Sequence, residues 1–231
     1  MKLAIHQPNY LPWPGYFHKM ESADVFLILD TVQYVKLEYD NRCKIKTPDG
    51  EQWITVPVTP PGLGTPINRV TLAESADIWR YNWKALENSY SKSPFFNAYK
   101  DELIEIYGKE WDRLIDLNLR FINTIRNWLG IETPLKLASN LPVRSLKGTE
   151  LLLSYCQELG VDVYLSGVGG KNYLEQELFT NNNIKLEFQN FTPIVYPQRF
   201  GDFIPNLSVI DLLFNCGKES LSRIMGIYKN E

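Results

Sequence analysis

"KLAIHQPNYLPWPGYFHKMESADVFLILD", residues 2–30, decides the fold. Its first five residues are a short β-type run that ends on His6, and a proline-rich loop follows. "GYFHKMESAD" then has the composition of a short helix, and "VFLILD" is an unbroken apolar run of the kind that fills a strand buried on both faces. Strand, loop, helix, strand is the repeating unit of a parallel sheet.

The C-terminal half repeats it. "PLKLAS" (134–139), "DVYLSG" (162–167) and "IKLEFQNF" (184–191) read as strands, separated by the helical stretches "GTELLLSYCQELG" (148–160) and "NYLEQELFTNNN" (172–183). Two further helices, "SVIDLLFNCG" and "KESLSRIMGIY", close the chain. Two segments interrupt this regularity. "RCKIKTPDGEQWITVPV" (42–58) alternates on both sides of Asp49-Gly50, a hairpin signal, and residues 59–67 hold too many Pro and Gly for a regular element, so they form a surface loop placed to close over a site. From about 77 to 130 the pattern turns helical, with Trp111, Leu114, Leu117, Phe121, Ile125 and Trp128 at steps of three and four and Gly130 as the stop. Trp79, Trp83, Trp111 and Trp128 stand at helical spacings and are assigned to packing. The expectation is one α/β domain over residues 1–231: a doubly wound, mostly parallel sheet with a β-hairpin and a largely helical insertion at about 77–130.

Composition agrees with a self-sufficient core: 231 residues, 44% hydrophobic, 22% charged and a net charge of −3. Nothing in that balance draws the chain to nucleic acid or to an anionic membrane. No apolar run reaches the roughly 18 residues of a membrane span, and the N-terminus lacks a secretory pattern, so a cytoplasmic location is expected. The three cysteines are far apart, with no CxxC pair and only two histidines beside them, which argues against a disulfide framework and a structural zinc. No metal site is expected.

In doubly wound sheets ligands lie beyond the carboxyl ends of the strands. Three segments fall there: the loop His6–Tyr16, the segment Asp30–Arg42 and "SGVGGKNY" (166–173). In the first, prolines fix the backbone and Tyr10, Trp13 and Tyr16 offer flat faces with polar tips for a sugar or base; the alternative is a stiff crossover whose aromatics cover the sheet. His6 is the candidate general base, or a donor to a ligand oxygen, with Gln7 beside it. His18, inside the first helix, is assigned to the surface or to packing. In the second segment Asp30 suits a hydroxyl, an amine or a metal, and Arg42 suits phosphate or carboxylate; Gln33, Lys36, Asn41, Lys44 and Lys46 extend this polar run, whose alternative is a solvated turn. In the third, Gly167, Gly169 and Gly170 follow Ser166 and precede Lys171 and Tyr173, and with a helix beginning at about Asn172 they make a candidate cradle for phosphate or another oxyanion. It is not a Walker A loop, and neither GxGxxG nor a GxSxG elbow is present. Ser208 and Asp211 open a late helix with capping-box spacing.

"HQPNYLPWPGYFHKMESADVFLILDTVQY", "NRCKIK", "WITVPV", "YLSGVGGKNYL" and "LSVIDLLFNCG", in this order, resemble the successive motifs of the WbqC-like family of bacterial proteins across almost the whole chain. The resemblance implies a role in O-antigen, lipopolysaccharide or other surface-polysaccharide biosynthesis, where a glycine-transferase role has been proposed for one branch. Its motifs map onto His6, Gln7, Pro8, Tyr10, Trp13, Gly15, Tyr16, Lys19, Asp30, Gln33, Asn41, Arg42, Ser166, Gly167, Gly170 and Tyr173. In "EYDNRC", Asp40 and Cys43 depart from the aromatic and Asn that the resemblance leads one to expect, a change that bears on substrate choice.

Three functions follow from these readings. The first is a transferase moving a small acyl or aminoacyl group, glycyl for example, onto a nucleotide-linked amino sugar, with His6, Asp30 and Lys171 as catalytic candidates and Arg42 with Lys171 as anion contacts. The second is an ATP-dependent ligase or nucleotidyl transferase, although the HxGH pair of that class is missing. The third is a non-catalytic sugar-nucleotide binding protein. No cofactor is implied outside the ATP of the second reading, and nucleic acid becomes a partner only if the donor is an aminoacyl-tRNA. The sequence sets no oligomeric state.

Overall fold

The computed structural model describes residues 1–73, 76–142 and 145–227, the side chains of residues 76–79 excepted. Trp79 as a packing residue, and Tyr228 as the end of the closing helix, therefore lie outside what is described.

Five strands form one parallel sheet: β1 (Lys2–His6), β2 (Val25–Ile28), β5 (Leu135–Leu137), β6 (Val163–Ser166) and β7 (Lys185–Phe188), in the order β5-β2-β1-β6-β7. Leu3 pairs with Val25 on one side and with Tyr164 on the other, so β1 is the central strand. Side chains alternate across it as the period of two requires. Leu3, Ile5, Val25 and Leu27 face α5 (Gly148–Glu158) and α6 (Gln176–Asn181), packing on Leu151, Leu152, Cys156 and Phe179. Ala4, Phe26 and Ile28 face the opposite core, built from α1 (Pro14–Glu21), α2 (Ala76–Tyr90), α3 (Phe96–Gly108), α4 (Leu114–Leu129) and α7 (Val209–Cys216). Both faces are covered, which explains why the strands read as apolar runs. The fold is α/β, as the sequence predicts.

The hairpin is a separate two-stranded sheet, β3 (Arg42–Thr47) and β4 (Gly50–Thr55), closed at Pro48-Asp49 with Gly50 at φ +105°. Cys43, Ile45 and Ile54 join the core on the α2–α4 side. The predicted insertion is present as α2, α3 and α4, and Gly130 ends α4 in the left-handed conformation (φ 75°). A short α8 (Ser220–Ile224) follows α7.

Two sequence readings need correction. No α-helix begins near Asn172: the glycine loop runs into a single 3-10 turn, Val168–Asn172, and α6 starts at Gln176. Ser208 does cap α7, accepting from the Ile210 amide, but Asp211 does not complete a capping box. Its buried carboxylate instead accepts from the Tyr90 and Tyr196 hydroxyls at 2.9 and 2.8 Å.

Candidate functional site

Chain order reverses between β1 and β6, since β2 and β5 lie on one side of β1 and β6 and β7 on the other. This is the topological switch point, the place where parallel sheets of this order open a crevice. Because β1, β2 and β6 are parallel neighbours, the loops that leave their carboxyl ends emerge at one edge of the sheet. Those loops are 6–16, 30–42 and 166–173.

α1 enters this edge through a local device. Trp13 lacks a capping side chain and Pro14 takes the first helical position, where its missing N–H costs nothing. The indole folds back over Gly15, where a β-carbon would lie 2.2 Å from Trp13 Cη2. Its ring also meets Phe191 edge-on, so Trp13 is a packing piece with part of its surface free.

One turn further, α1 buries Tyr16, Lys19 and Met20 on a single face. Lys19 is 3% exposed, and its ammonium donates to the Ile5 carbonyl of β1 at 2.7 Å. That is its one hydrogen bond among the described residues, although it has three donors to place. A β-carbon added to Gly167 would stand 4.0 Å from the same nitrogen, which puts the amine between the ends of β1 and β6. Burial pulls its pKa down from 10.5 to about 7.

His6 ends β1 and packs edge-on against the Tyr16 ring, with centroids 4.8 Å apart. Its Nδ1 donates to the Gln7 carbonyl at 3.1 Å, leaving Nε2 as an acceptor. Burial, reinforced by the charge of Lys19, lowers its pKa from 6.5 to about 3. His6 is therefore neutral at physiological pH and too weak a base for the role that its position suggests; Lys19 has the matching basicity.

Asp40 is fully buried, with the Val35 backbone alone near enough to its carboxylate to hydrogen-bond it in part among the described residues. Burial raises its pKa from 3.8 to about 7, Glu38 adds to the rise, and the Val35 backbone opposes it in part. The Tyr16 hydroxyl, also buried and unpartnered, is coupled electrostatically to Asp40. Backbone bonds stitch the two loops together here: the Tyr10 amide donates to Tyr39, and Asn118 of α4 donates through Nδ2 to both Pro8 and Asp40 carbonyls at 2.8 and 2.7 Å.

The other predicted residues divide. Asn41 is occupied by the Val56 carbonyl, and Arg42 lies 4.0 Å over the Trp53 ring while donating to the Leu37 carbonyl. The Asp30 carboxylate, 1% exposed, accepts from the Ser139 amide at 2.9 Å and faces Asn68 at 3.5 Å, tying β2 to the turn after β5. Tyr10 is wholly buried: its hydroxyl pairs with that of Tyr107, Asn82 reaches it at 3.3 Å, and its ring meets Phe121. It is core, not a ligand platform. Gln33 is exposed, bridged to Pro66, and lines a cavity of about 540 Å³ with Thr31, Gly64, Ser139 and Tyr155 at the same edge of the sheet. Gln7 is half-buried beside His6.

In the third loop Gly170 is required by packing, because a β-carbon there would sit 2.1 Å from Ser166 Oγ. Ser166 is buried and donates to its neighbour Gly167. Lys171 is exposed with its ammonium 5.5 Å over Phe188, and Tyr173 is 60% exposed. With a five-residue 3-10 turn in place of an α-helix, the loop has no helix terminus to hold an anion, and Gly167 remains the glycine that approaches the Lys19 amine. His18 is a packing residue near Gln189 and Phe191, as its sequence position suggests.

Sequence reasoning names Lys19 only as a substrate-site residue, not as the base, and Asp40 only as a change that bears on substrate choice. Lys19 carries a signal, since it falls three residues after Tyr16 on the buried face of α1. Asp40 stands out only as a departure from the family motif.

These features define a parallel α/β protein with a buried lysine, Lys19, at the switch point beside the half-buried His6. The chain belongs to the WbqC-like protein family, whose model matches residues 7–223. It is 38% identical over 222 residues to the uncharacterized protein Rv1507c of Mycobacterium tuberculosis, covering 95% of each chain. No solved structure matches. Among the described residues no helix is long and apolar enough to cross a membrane.

Proposed function

We propose that the chain is a transferase of surface-polysaccharide (O-antigen type) biosynthesis, moving a small acyl or aminoacyl group such as glycyl onto the amine of a nucleotide-linked amino sugar. The observation that carries this reading is the Lys19 amine, buried at the switch point with a pKa near 7 and a single hydrogen bond. Acyl transfer to an amine needs a group that accepts a proton from the attacking nitrogen as the carbon–nitrogen bond forms, and returns one as the leaving group departs. A half-protonated lysine does both at neutral pH. Neutral His6, its Nδ1 hydrogen committed to the Gln7 carbonyl, accepts one hydrogen bond at Nε2 and orients the substrate.

The sheet order also suits nucleotide binding, which keeps the ATP-dependent ligase as the second reading. Incubation with a nucleoside-diphosphate amino sugar and labelled glycine, with and without ATP, or with glycyl-tRNA or an acyl thioester, separates them. Label transferred without pyrophosphate release supports the transferase, and ATP-dependent pyrophosphate release supports the ligase. Tight binding with no conversion under any donor identifies a non-catalytic binding protein.

A further inference from the structure

The cavity of about 540 Å³ opens beyond the carboxyl ends of β2 and β5, walled by residues 31–33 after β2, by Ser139 and Leu141 after β5, and by Leu151 and Tyr155 of α5. Its size is that of a small-molecule site, about 300–1,000 Å³. Three kinds of chemistry line it. Val32, Leu141, Leu146 and Leu151 make most of the wall apolar. Thr31, Gln33, Ser139 and Tyr155 bring hydroxyls and an amide, groups that both donate and accept, and the side chains of Gln33 and Ser139 make no hydrogen bond with a described residue. Lys147, at the entry to α5, is the one charged side chain on the wall among the described residues, and no described carboxylate pairs with it. Asp30 stays off the wall, held by the Ser139 amide at 2.9 Å.

A ligand that matches this wall has apolar faces, donors and acceptors along its edge, and a negative charge. A hydrocarbon would strip water from the polar groups and return no hydrogen bond, and a sugar would turn its hydroxyls against the leucines. A heteroaromatic base meets both demands, and a phosphate attached to it meets Lys147. We infer that this cavity holds the nucleoside of a nucleoside diphosphate, with the phosphates against Lys147. Leu63, fully exposed beside Gly64 on the rim, is an apolar side chain for such a base to cover, and the Tyr34 amide, bonded to the Thr65 carbonyl, ties its loop to the segment after β2. Along the sheet edge, two strand spacings, about 10 Å, separate the β5–β2 gap from the β1–β6 gap where Lys19 lies. The ribose and diphosphate of a nucleotide-linked sugar span that distance, so one ligand places its base here and its sugar at Lys19. The inference deepens the transferase reading and rests on it for the sugar; the nucleoside end stands on this wall.

The test is titration calorimetry of the full chain with the diphosphates of uridine, cytidine, guanosine and adenosine, with the free nucleosides and with inorganic pyrophosphate, for wild type, Gln33→Ala, Lys147→Ala and Lys19→Met. Gln33 and Lys147 are exposed, so truncating them removes no core contact. At least one diphosphate should bind wild type about tenfold or more tightly than pyrophosphate does. Gln33→Ala should weaken that nucleotide and its nucleoside alike, by roughly two- to tenfold, whereas Lys147→Ala should weaken the nucleotide by about tenfold and leave the nucleoside unchanged. Lys19→Met should alter neither affinity, which separates this inference from the transferase reading: a nucleotide site with this variant pattern, in a protein that transfers no acyl group from any donor, upholds the first and sinks the second. Pyrophosphate binding as tightly as every diphosphate, no nucleotide binding at all, or a nucleotide affinity that neither Gln33→Ala nor Lys147→Ala changes would overturn the assignment.

Discussion

Replacing Lys19 by Met should make the protein more stable and inactive. The amine is the most expensive group that α1 buries, with one partner, the Ile5 carbonyl at 2.7 Å. Its pKa falls from 10.5 in water to about 7 in the fold, which at neutral pH corresponds to about 4 kcal/mol of destabilisation relative to a side chain that never ionises. Losing the bond to Ile5 costs about 1 kcal/mol, so the net gain is about 3 kcal/mol, or roughly 6–12 °C in melting temperature for a chain of this size. The sign with pH is fixed. Between about 7 and 10.5 the unfolded chain holds a proton on Lys19 that the folded chain does not, so wild-type stability rises through this window and the gap to Lys19→Met closes. Below about 7 the gap is at its full value. Urea denaturation of both proteins at pH 6, 8 and 10, with transferase or binding assays alongside, measures it. A variant that is less stable than wild type, or a gap that does not change with pH, would refute the reasoning and make Lys19 an ordinary structural residue.

Three more outcomes are expected. Tyr10→Phe should lower stability by about 1–3 kcal/mol in denaturant titration, because the Tyr107 and Asn82 groups lose a buried partner, and should leave nucleotide-sugar affinity unchanged. Gly170→Val should melt at lower temperature through overlap with Ser166 and Leu174, whereas Gly169→Ala, with nothing within 4 Å of the new carbon, should melt as wild type. His6 should stay neutral with its proton on Nδ1 in nitrogen NMR from pH 5 to 8; since its pKa is about 3 folded against 6.5 unfolded, it contributes stability that is lost as pH falls from about 6.5 toward 3, and His6→Gln should flatten that acid limb.

The sheet is legible because burial on both faces turns β1, β2 and β6 into short apolar runs bounded by helices, a pattern that few other architectures produce. The hairpin is legible from Asp49-Gly50, and α4 from its apolar steps up to Gly130. What the sequence does not display is which neighbour covers which side chain. Tyr10 and Tyr16 are equivalent as residues of the opening loop, yet α3 supplies Tyr107 to the first and nothing to the second. The glycines of 166–173 read as a ligand cradle, but Gly170 is fixed by the volume of Ser166, a contact four residues away that a string of letters does not order in space. Asp30 reads as a free strand-end carboxylate until β5 brings the Ser139 amide to it, over a separation of 109 residues.

The same burial that hides these roles sets the chemistry of the site. A low-dielectric surrounding disfavours every charged form, so it moves acids up and bases down, and the two movements converge. Asp40 starts at 3.8 and Lys19 at 10.5, and each arrives at about 7. His6 starts near neutrality and, moved the same way as Lys19, is carried out of the useful range. A histidine at a strand end is thus the residue that sequence reasoning selects for proton transfer and the one that burial disqualifies, while a lysine and an aspartate take over the pH range it vacates. Lys19 lies between the ends of β1 and β6, where it can exchange protons near Gly167, and Asp40 is coupled electrostatically to Tyr16 of the same helix. If both titrate near pH 7, activity that needs Lys19 deprotonated and Asp40 ionised must rise with pH through neutrality as the product of two titrations, steeper than either alone. Asp40→Asn should reduce that dependence to a single ionisation with its midpoint at Lys19. An unchanged pH profile in the variant would place Asp40 outside the catalytic cycle.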